Sequence, residues 1–179
     1  MAATWRATSQ AVAYASAKDM LNVFNGGASA AVLRVYRIYW FNNGTTAVTG
    51  VLTNMRVNRI TAASAGTAVT PVAHDTSSAA LDAATSAGTN QTVTRSSVFR
   101  QILYSNDEPT VSAATQDEWE LYIPFAEVWN AGYGDSNVEP LTCRTTQGVE
   151  LQQSGSSAVG SGDAEDVVDD GCANDDLRL

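Results

Sequence analysis

Five groups of residues in this chain have types and spacings that bear on chemistry. The only histidine, His74, stands beside Asp75, and Ser77 and Ser78 follow closely, so a base, an acid and two hydroxyls lie together. A Ser-His-Asp centre is assembled in space rather than along the chain, and there is no GxSxG elbow, so His74 is expected to be a loop histidine. Asp117, Glu118 and Glu120 surround Trp119, the residue types of a glycosidase carboxylate pair beside an aromatic. On a strand, Glu118 and Glu120 share one face and Trp119 takes the other, which is the pattern of a polar-out, apolar-in segment. The structural reading is therefore preferred, and no catalytic residue is assigned.

Trp119, Tyr122, Phe125, Trp129 and Tyr133 are spaced through one short stretch. Aromatic residues are enriched in recognition patches, so Trp119, Tyr122, Trp129 and Tyr133 form the candidate partner or ligand surface, with packing in a core or subunit interface as their expected use. Asp163, Glu165, Asp166, Asp169 and Asp170 could supply oxygen ligands, but their spacing departs from an EF-hand loop. They are read instead as contacts of a charged tail, and neither a metal nor another cofactor is expected. Cys143 and Cys172 form no CxxC pair and are expected to be free thiols.

These residues must be positioned by strands. Leu33 to Phe41 is dense in β-branched and aromatic residues and runs into Asn42-Asn43-Gly44, where Asn-Gly favours a tight reversal. From Val48 to Ile60, Val51, Met55 and Val57 alternate with Asn54, Arg56 and Asn58, a half-buried strand expected to pair back as a hairpin. Residues 61–97 are rich in Ala, Ser, Thr and Gly and are expected to form a long surface excursion. Strand signals return at Ser97 to Tyr104 and at Trp119 to Phe125. A further pair at Pro140 to Thr145 and Val149 to Gln152 is joined by a turn at Gln147-Gly148. Short strands without alternating helices predict an all-β antiparallel sandwich or jelly roll.

Length and composition bound the rest. The 179 residues suit one domain with appendages: an extended N-terminal arm over 1–19, a sandwich over 20–152, and a Ser/Gly linker with an acidic tail over 153–179. That last segment holds seven of the 19 acidic residues and one of the ten basic ones, so most of the formal charge of −9 sits there. An acidic balance without a basic stripe argues against direct nucleic-acid binding. No apolar run approaches the ~20 residues of a membrane-spanning helix, and the opening residues lack a signal-peptide pattern, so synthesis in a cytoplasm is expected. Nine of the ten basic residues are arginine, which favours ordered contacts over a merely solvated surface.

The strand pair, the run Gly66-Thr67-Ala68-Val69-Thr70-Pro71 with Asp75 after it, the Ala/Ser/Thr-rich loop and the late Gly148-Val149-Glu150-Leu151 resemble, in that order, small jelly-roll virion proteins of tailed phages. Some of these look like capsid decoration or cement proteins. The resemblance covers residues 20–152. It implies a non-catalytic structural protein of the virion that associates with itself, as a homotrimer by analogy, and with the major capsid protein or other virion proteins. The rival expectation is a tail- or fibre-associated sandwich that binds glycan through the aromatic cluster. On either reading, far-ultraviolet circular dichroism is expected to show strand and no appreciable helix.

Overall fold

The computed structural model describes residues 3–27, 32–42, 52–78, 80–81, 85–105, 125–131, 139–154 and 161–171. They form twelve strands and no helix: β1 Ala3–Ala13, β2 Lys18–Asn25, β3 Val32–Asn42, β4 Leu52–Ser64, β5 Thr67–Val69, β6 Val72–Ala73, β7 Thr85–Thr89, β8 Thr92–Ser105, β9 Phe125–Asn130, β10 Leu141–Cys143, β11 Gln147–Gln153 and β12 Ser161–Gly171. All pairings are antiparallel. Sheet A has the order β10-β3-β12-β1-β6, with β9 sharing the β10 edge of β3, and sheet B has the order β5-β7-β2-β11-β4-β8. The chain is an antiparallel β-sandwich.

Alternation along each strand explains why the sheets face each other. In β1, Trp5, Ala7 and Ser9 are buried at a period of two, and a bulge at Gln10 and Ala11, where Ala11 has φ 50°, returns Val12 to the same inner face. Ser9 seals that join by accepting from the Ala164 amide at 3.2 Å. In β3, Leu33 and Val35 point inward, and so do Ile38 and Trp40, because the ladder to β12 slips by one residue between them. Sheet B contributes Leu21, Val23, Met55, Val57, Val149 and Leu151 to the same core. The Trp40 and Tyr14 rings pack at 5.5 Å between centroids. Burying each large apolar side chain in this layer is worth ~1.5–3 kcal/mol.

Four expectations change. The strand read at Leu33 to Phe41 and the one returning from Val48 do not make a hairpin, because β3 lies in sheet A and β4 in sheet B. Asn43-Gly44 itself lies outside the described residues. Likewise β10 and β11 are not partners: β10 pairs with β3, while β11 pairs with β2 and β4. Residues 1–19, read as an arm, contain β1, whose Trp5 and Ala7 are core residues between β12 and β6. The segment read as an acidic tail contains β12, inserted between β1 and β3 with a full ladder on each side.

The stretch 61–97 is also structured. The ladder of β4 with β8 ends at Ser64 opposite Thr92 and resumes as β5 with β7, from Thr67 opposite Thr89. Both strands turn sharply at that break, where Ala65, Gly66 and Asn90 have positive φ. A side chain at Gly66 would lie 2.8 Å from the Gln91 amide, so this corner requires glycine. The kinked ribbon starts at the β8 edge of sheet B and ends at the β2 edge, folding over the outer face of the sheet.

Because β12 is the only described strand joining β1 to β3, deleting residues 154–179 should abolish cooperative thermal unfolding. A truncated chain that still melts as one sharp transition would contradict this topology.

Candidate functional site

The outer face of sheet B should be solvated in a two-layer fold, yet it holds the main buried polar group of the described residues. Register sets Asn22, Glu150 and Asn58 side by side across β2, β11 and β4, and sets Asp19, Gln152 and Arg56 in the neighbouring row. Asp19, Asn22, Asn58, Glu150 and Gln152 are all buried. The row on the other side, Phe24, Gly148 and Ile60, is apolar, and a side chain at Gly148 would strike both neighbours at 2.9 Å.

The kinked ribbon provides the cover. Arg95, on β8, reaches over β4 to grip Glu150 with two charge-assisted bonds, Nε to Oε2 at 2.7 Å and Nη2 to Oε1 at 2.6 Å. The same Nη2 donates to the Ala17 carbonyl at 3.0 Å, just before β2. Asn58 donates through Nδ2 to Glu150 at 3.0 Å and to Gln152 at 2.8 Å. At the corner, the Gln91 amide donates to Asp19 Oδ2 at 3.0 Å and the Asn90 amide donates to the Asp19 carbonyl. Asn22 Nδ2 donates to Asp19 Oδ2 at 2.6 Å and to the Gly88 carbonyl at 3.1 Å. One arginine and one aspartate thus bind the ribbon to both ends of the sheet.

Asp19 is the stressed member. Burial pushes its carboxyl up to about 7, reinforced by the nearby Glu150 and opposed by the bonds from Gln91 and Asn22 and by Arg95. Its Oδ1 and the Oδ1 of Asn22 are both buried acceptors without a hydrogen-bond partner. A carboxyl that holds its proton is the cheaper form to bury in such a place. An ion-paired carboxylate beside one that holds its proton near neutrality is the distribution used in acid-base catalysis. Here, however, Glu150 is 0% exposed and Asp19 2%, beneath Arg95 and the ribbon. The arrangement is a clasp between elements, and it offers no approach for a substrate.

The sequence-derived candidates fall elsewhere. His74 is exposed in the loop after β6, and Asp75 turns to Ser77, accepting from its amide at 2.9 Å and its hydroxyl at 2.7 Å. Those bonds lower the Asp75 pKa and hold an Asx turn. Trp129 is half-buried. Its Nε1 donates to the Val35 carbonyl at 3.3 Å, and its ring meets Phe99 edge-on at 4.8 Å, tying β9 to β8 across the sandwich edge. Trp119, Tyr122 and Tyr133, with Asp117, Glu118 and Glu120, lie outside the described residues. Asp163, Glu165, Asp166, Asp169 and Asp170 belong to β12. Cys143 is buried and forms no disulfide, and Cys172 lies outside the described residues. Among the described residues no three His, Cys, Asp or Glu side chains gather as a metal site. A cleft of about 320 Å³ between β1 and β5 is lined by Thr8, Ser9, Gln10 and Thr67 among others, none of them titratable.

Asp19, Asn22, Arg95 and Gln152 were not singled out from sequence. The available signal was the polar alternation Asn54, Arg56 and Asn58 in β4, since asparagine is depleted in strands unless its amide has a partner. The fold and clasp define a β-sandwich whose outer sheet face is closed by a folded-back ribbon. No family model matches the chain, and no curated protein or solved structure matches it either.

The clasp makes stability depend on pH. Asp19 titrates near 3.8 when unfolded and at about 7 when folded, so its favourable contribution is full below about pH 4 and is lost as the pH rises to about 7. Asp19→Asn should flatten that slope and raise stability at pH 8 relative to the parent protein by a few kcal/mol. Arg95→Met should cost ~3–5 kcal/mol by leaving Glu150 buried without its partner. Urea melts across this range check both outcomes.

Proposed function

We propose that this protein is a non-catalytic structural component of a tailed-phage virion, a jelly roll that decorates or cements the head by binding the major capsid protein and copies of itself. The observation that carries the reading is the nested order of strand pairing. β1 pairs with β12, β2 with β11, β3 with β9 and β10, and β4 with β8, so each strand from the start of the chain meets its counterpart from the end. Two four-stranded layers, β10-β3-β12-β1 and β2-β11-β4-β8, then face each other, as in the eight-stranded double Greek key. The ribbon β5 to β7 is an insertion between the fourth and fifth of those strands. Jelly rolls of this kind recur in viral shells, where the sandwich serves as a rigid block and its edges make the contacts.

A contact edge is available on β8. Among the described residues it is the terminal strand of sheet B, and Val98, Phe99 and Leu103 on it are 55%, 46% and 66% exposed. A long edge strand carrying apolar side chains is an association surface unless something protects it. β8 also carries Arg100 and no acid, and its Arg95 is paired with Glu150 in the clasp.

The test is co-sedimentation of the purified protein with capsid shells assembled from the major capsid protein encoded in the same gene cluster. Saturable binding at physiological salt, lowered at least tenfold by Leu103→Glu with Val98→Glu while the melting curve is unchanged, is the expected result. A folded protein that remains wholly in the supernatant would refute the assignment.

A further inference from the structure

At the corner where the kinked ribbon meets β2, three side-chain oxygens are buried without a hydrogen-bond donor: Asp19 Oδ1, Asn22 Oδ1 and Gln91 Oε1. Register and hydrogen bonds gather their side chains in one patch. Asn22 Nδ2 donates to Asp19 Oδ2 at 2.6 Å, and the Gln91 backbone amide donates to the same oxygen at 3.0 Å. Asn22 is directly opposite Gly88 in the β2–β7 ladder. Gly88 has no side chain, and the Gln91 carboxamide fills that place, with its Cδ 2.8 Å from where a Cβ on Gly88 would stand. Cβ positions directly opposite in an antiparallel pair are ~4.5–5.5 Å apart, so the Gln91 and Asn22 carboxamides are neighbours on the outer face.

Acceptors cannot satisfy one another, and the Asn22 amide cannot be turned to help. Its nitrogen already donates to Asp19 and to the Gly88 carbonyl, which leaves its oxygen as the unmatched end. Charge points the same way. Asp19 and Glu150 are both buried, Arg95 is engaged with Glu150, and Arg56 in the neighbouring row is turned to Gln101 at 2.7 Å. With both carboxylates ionised, the buried group therefore carries one negative charge that no ion pair balances. The upward push on the Asp19 carboxyl, from burial first and Glu150 next, is the expected response where a balancing cation is missing. Gln91 is only half-buried, so a single ion can enter at the ribbon corner although a larger substrate cannot.

We propose that Asp19, Asn22 and Gln91 form a calcium-binding site that fastens the ribbon corner to β2, with water completing the coordination shell. Calcium takes ~6–8 oxygens in flexible geometry and accepts amide oxygens beside a carboxylate, whereas magnesium demands a near-ideal octahedron and gives up its water reluctantly. The patch offers no nitrogen or sulfur ligand of the kind that selects zinc or copper. A single carboxylate among the ligands puts the affinity in the weak range, a dissociation constant of ~0.1–1 mM. Ion and proton compete for Asp19, so binding strengthens as the pH rises through about 7. The site is separate from the β8 edge and stands independently of the assembly reading.

The test uses the full-length chain, cleared of metal with EDTA and dialysed to pH 8 at fixed ionic strength, with calcium chloride as the probe. The urea midpoint should rise saturably with calcium, half-maximally at ~0.1–1 mM, and magnesium chloride should give at most about a tenth of the effect. The backbone amide signals of Asn22 and Gln91 should move in nuclear magnetic resonance spectra over the same titration. Asp19→Asn and Gln91→Leu should each abolish the calcium-dependent rise, while Asp75→Asn, at an exposed turn carboxylate, should leave it intact. Gln91→Leu keeps the backbone donor to Asp19, so it removes a ligand without unfastening the corner. A midpoint unmoved by ~10 mM calcium would overturn the proposal. So would a rise that survives in both variants, or one that magnesium matches.

Discussion

The insertion of β12 between β1 and β3 is the constraint on which the sandwich depends. Among the described strands no other joins those two, so sheet A is continuous only when a segment near one end of the sequence lies beside one near the other. Such a contact has the greatest sequence separation available and carries the largest loop-closure entropy, which places it late in folding. Backbone pairing along both of its edges holds this strand in the sheet. Sheet B has no such weakness, since β2, β11 and β4 interleave Leu21, Val23, Val149, Leu151, Met55 and Val57 in its centre.

A second device secures sheet B from outside. The ribbon of β4, β5, β7 and β8 turns at Ala65, Gly66 and Asn90 and returns over the outer face, where it would shut polar groups away from water at considerable cost. Arg95 on Glu150 and the corner amides on Asp19 offset that cost, with Asn58 dividing its two donors between Glu150 and Gln152. Satisfied networks of this kind fix geometry more than they add stability. The unpartnered Oδ1 atoms of Asp19 and Asn22 mark where the network is incomplete, and the proton that Asp19 keeps near neutrality belongs to the same deficit.

Fold class was legible because alternation in β4 and the aromatic density of β3 are local signals. Sheet membership was not. Asn43-Gly44 announces a reversal, but whether the returning strand pairs with β3 or crosses to the facing sheet depends on partners near residue 150 that no short window contains. β1 and β12 were misread for the same reason. Thr, Ser and Gln in β1 and the acids of β12 look solvated until the long-range ladder supplies their backbone partners, and the charge rule that marks a tail is blind to arginines more than a hundred residues away. The clasp was half visible. Asn54, Arg56 and Asn58 were recognised as a polar face, but nothing local shows that Arg95 returns to cover it. The catalytic-looking clusters misled less, because sequence adjacency of His74 and Asp75 is poor grounds for a triad.

Native-state hydrogen exchange, followed amide by amide, tests most directly the claim that the sandwich depends on the insertion of β12. The account predicts that the amides of Ala164 to Val168 exchange only through global unfolding, because sheet A is not continuous without β12. The amides of Val149 to Leu151 in β11 should exchange only when the whole molecule unfolds. If β12 exchanges through an opening much smaller than that of β11, the sandwich persists without it and the account is contradicted.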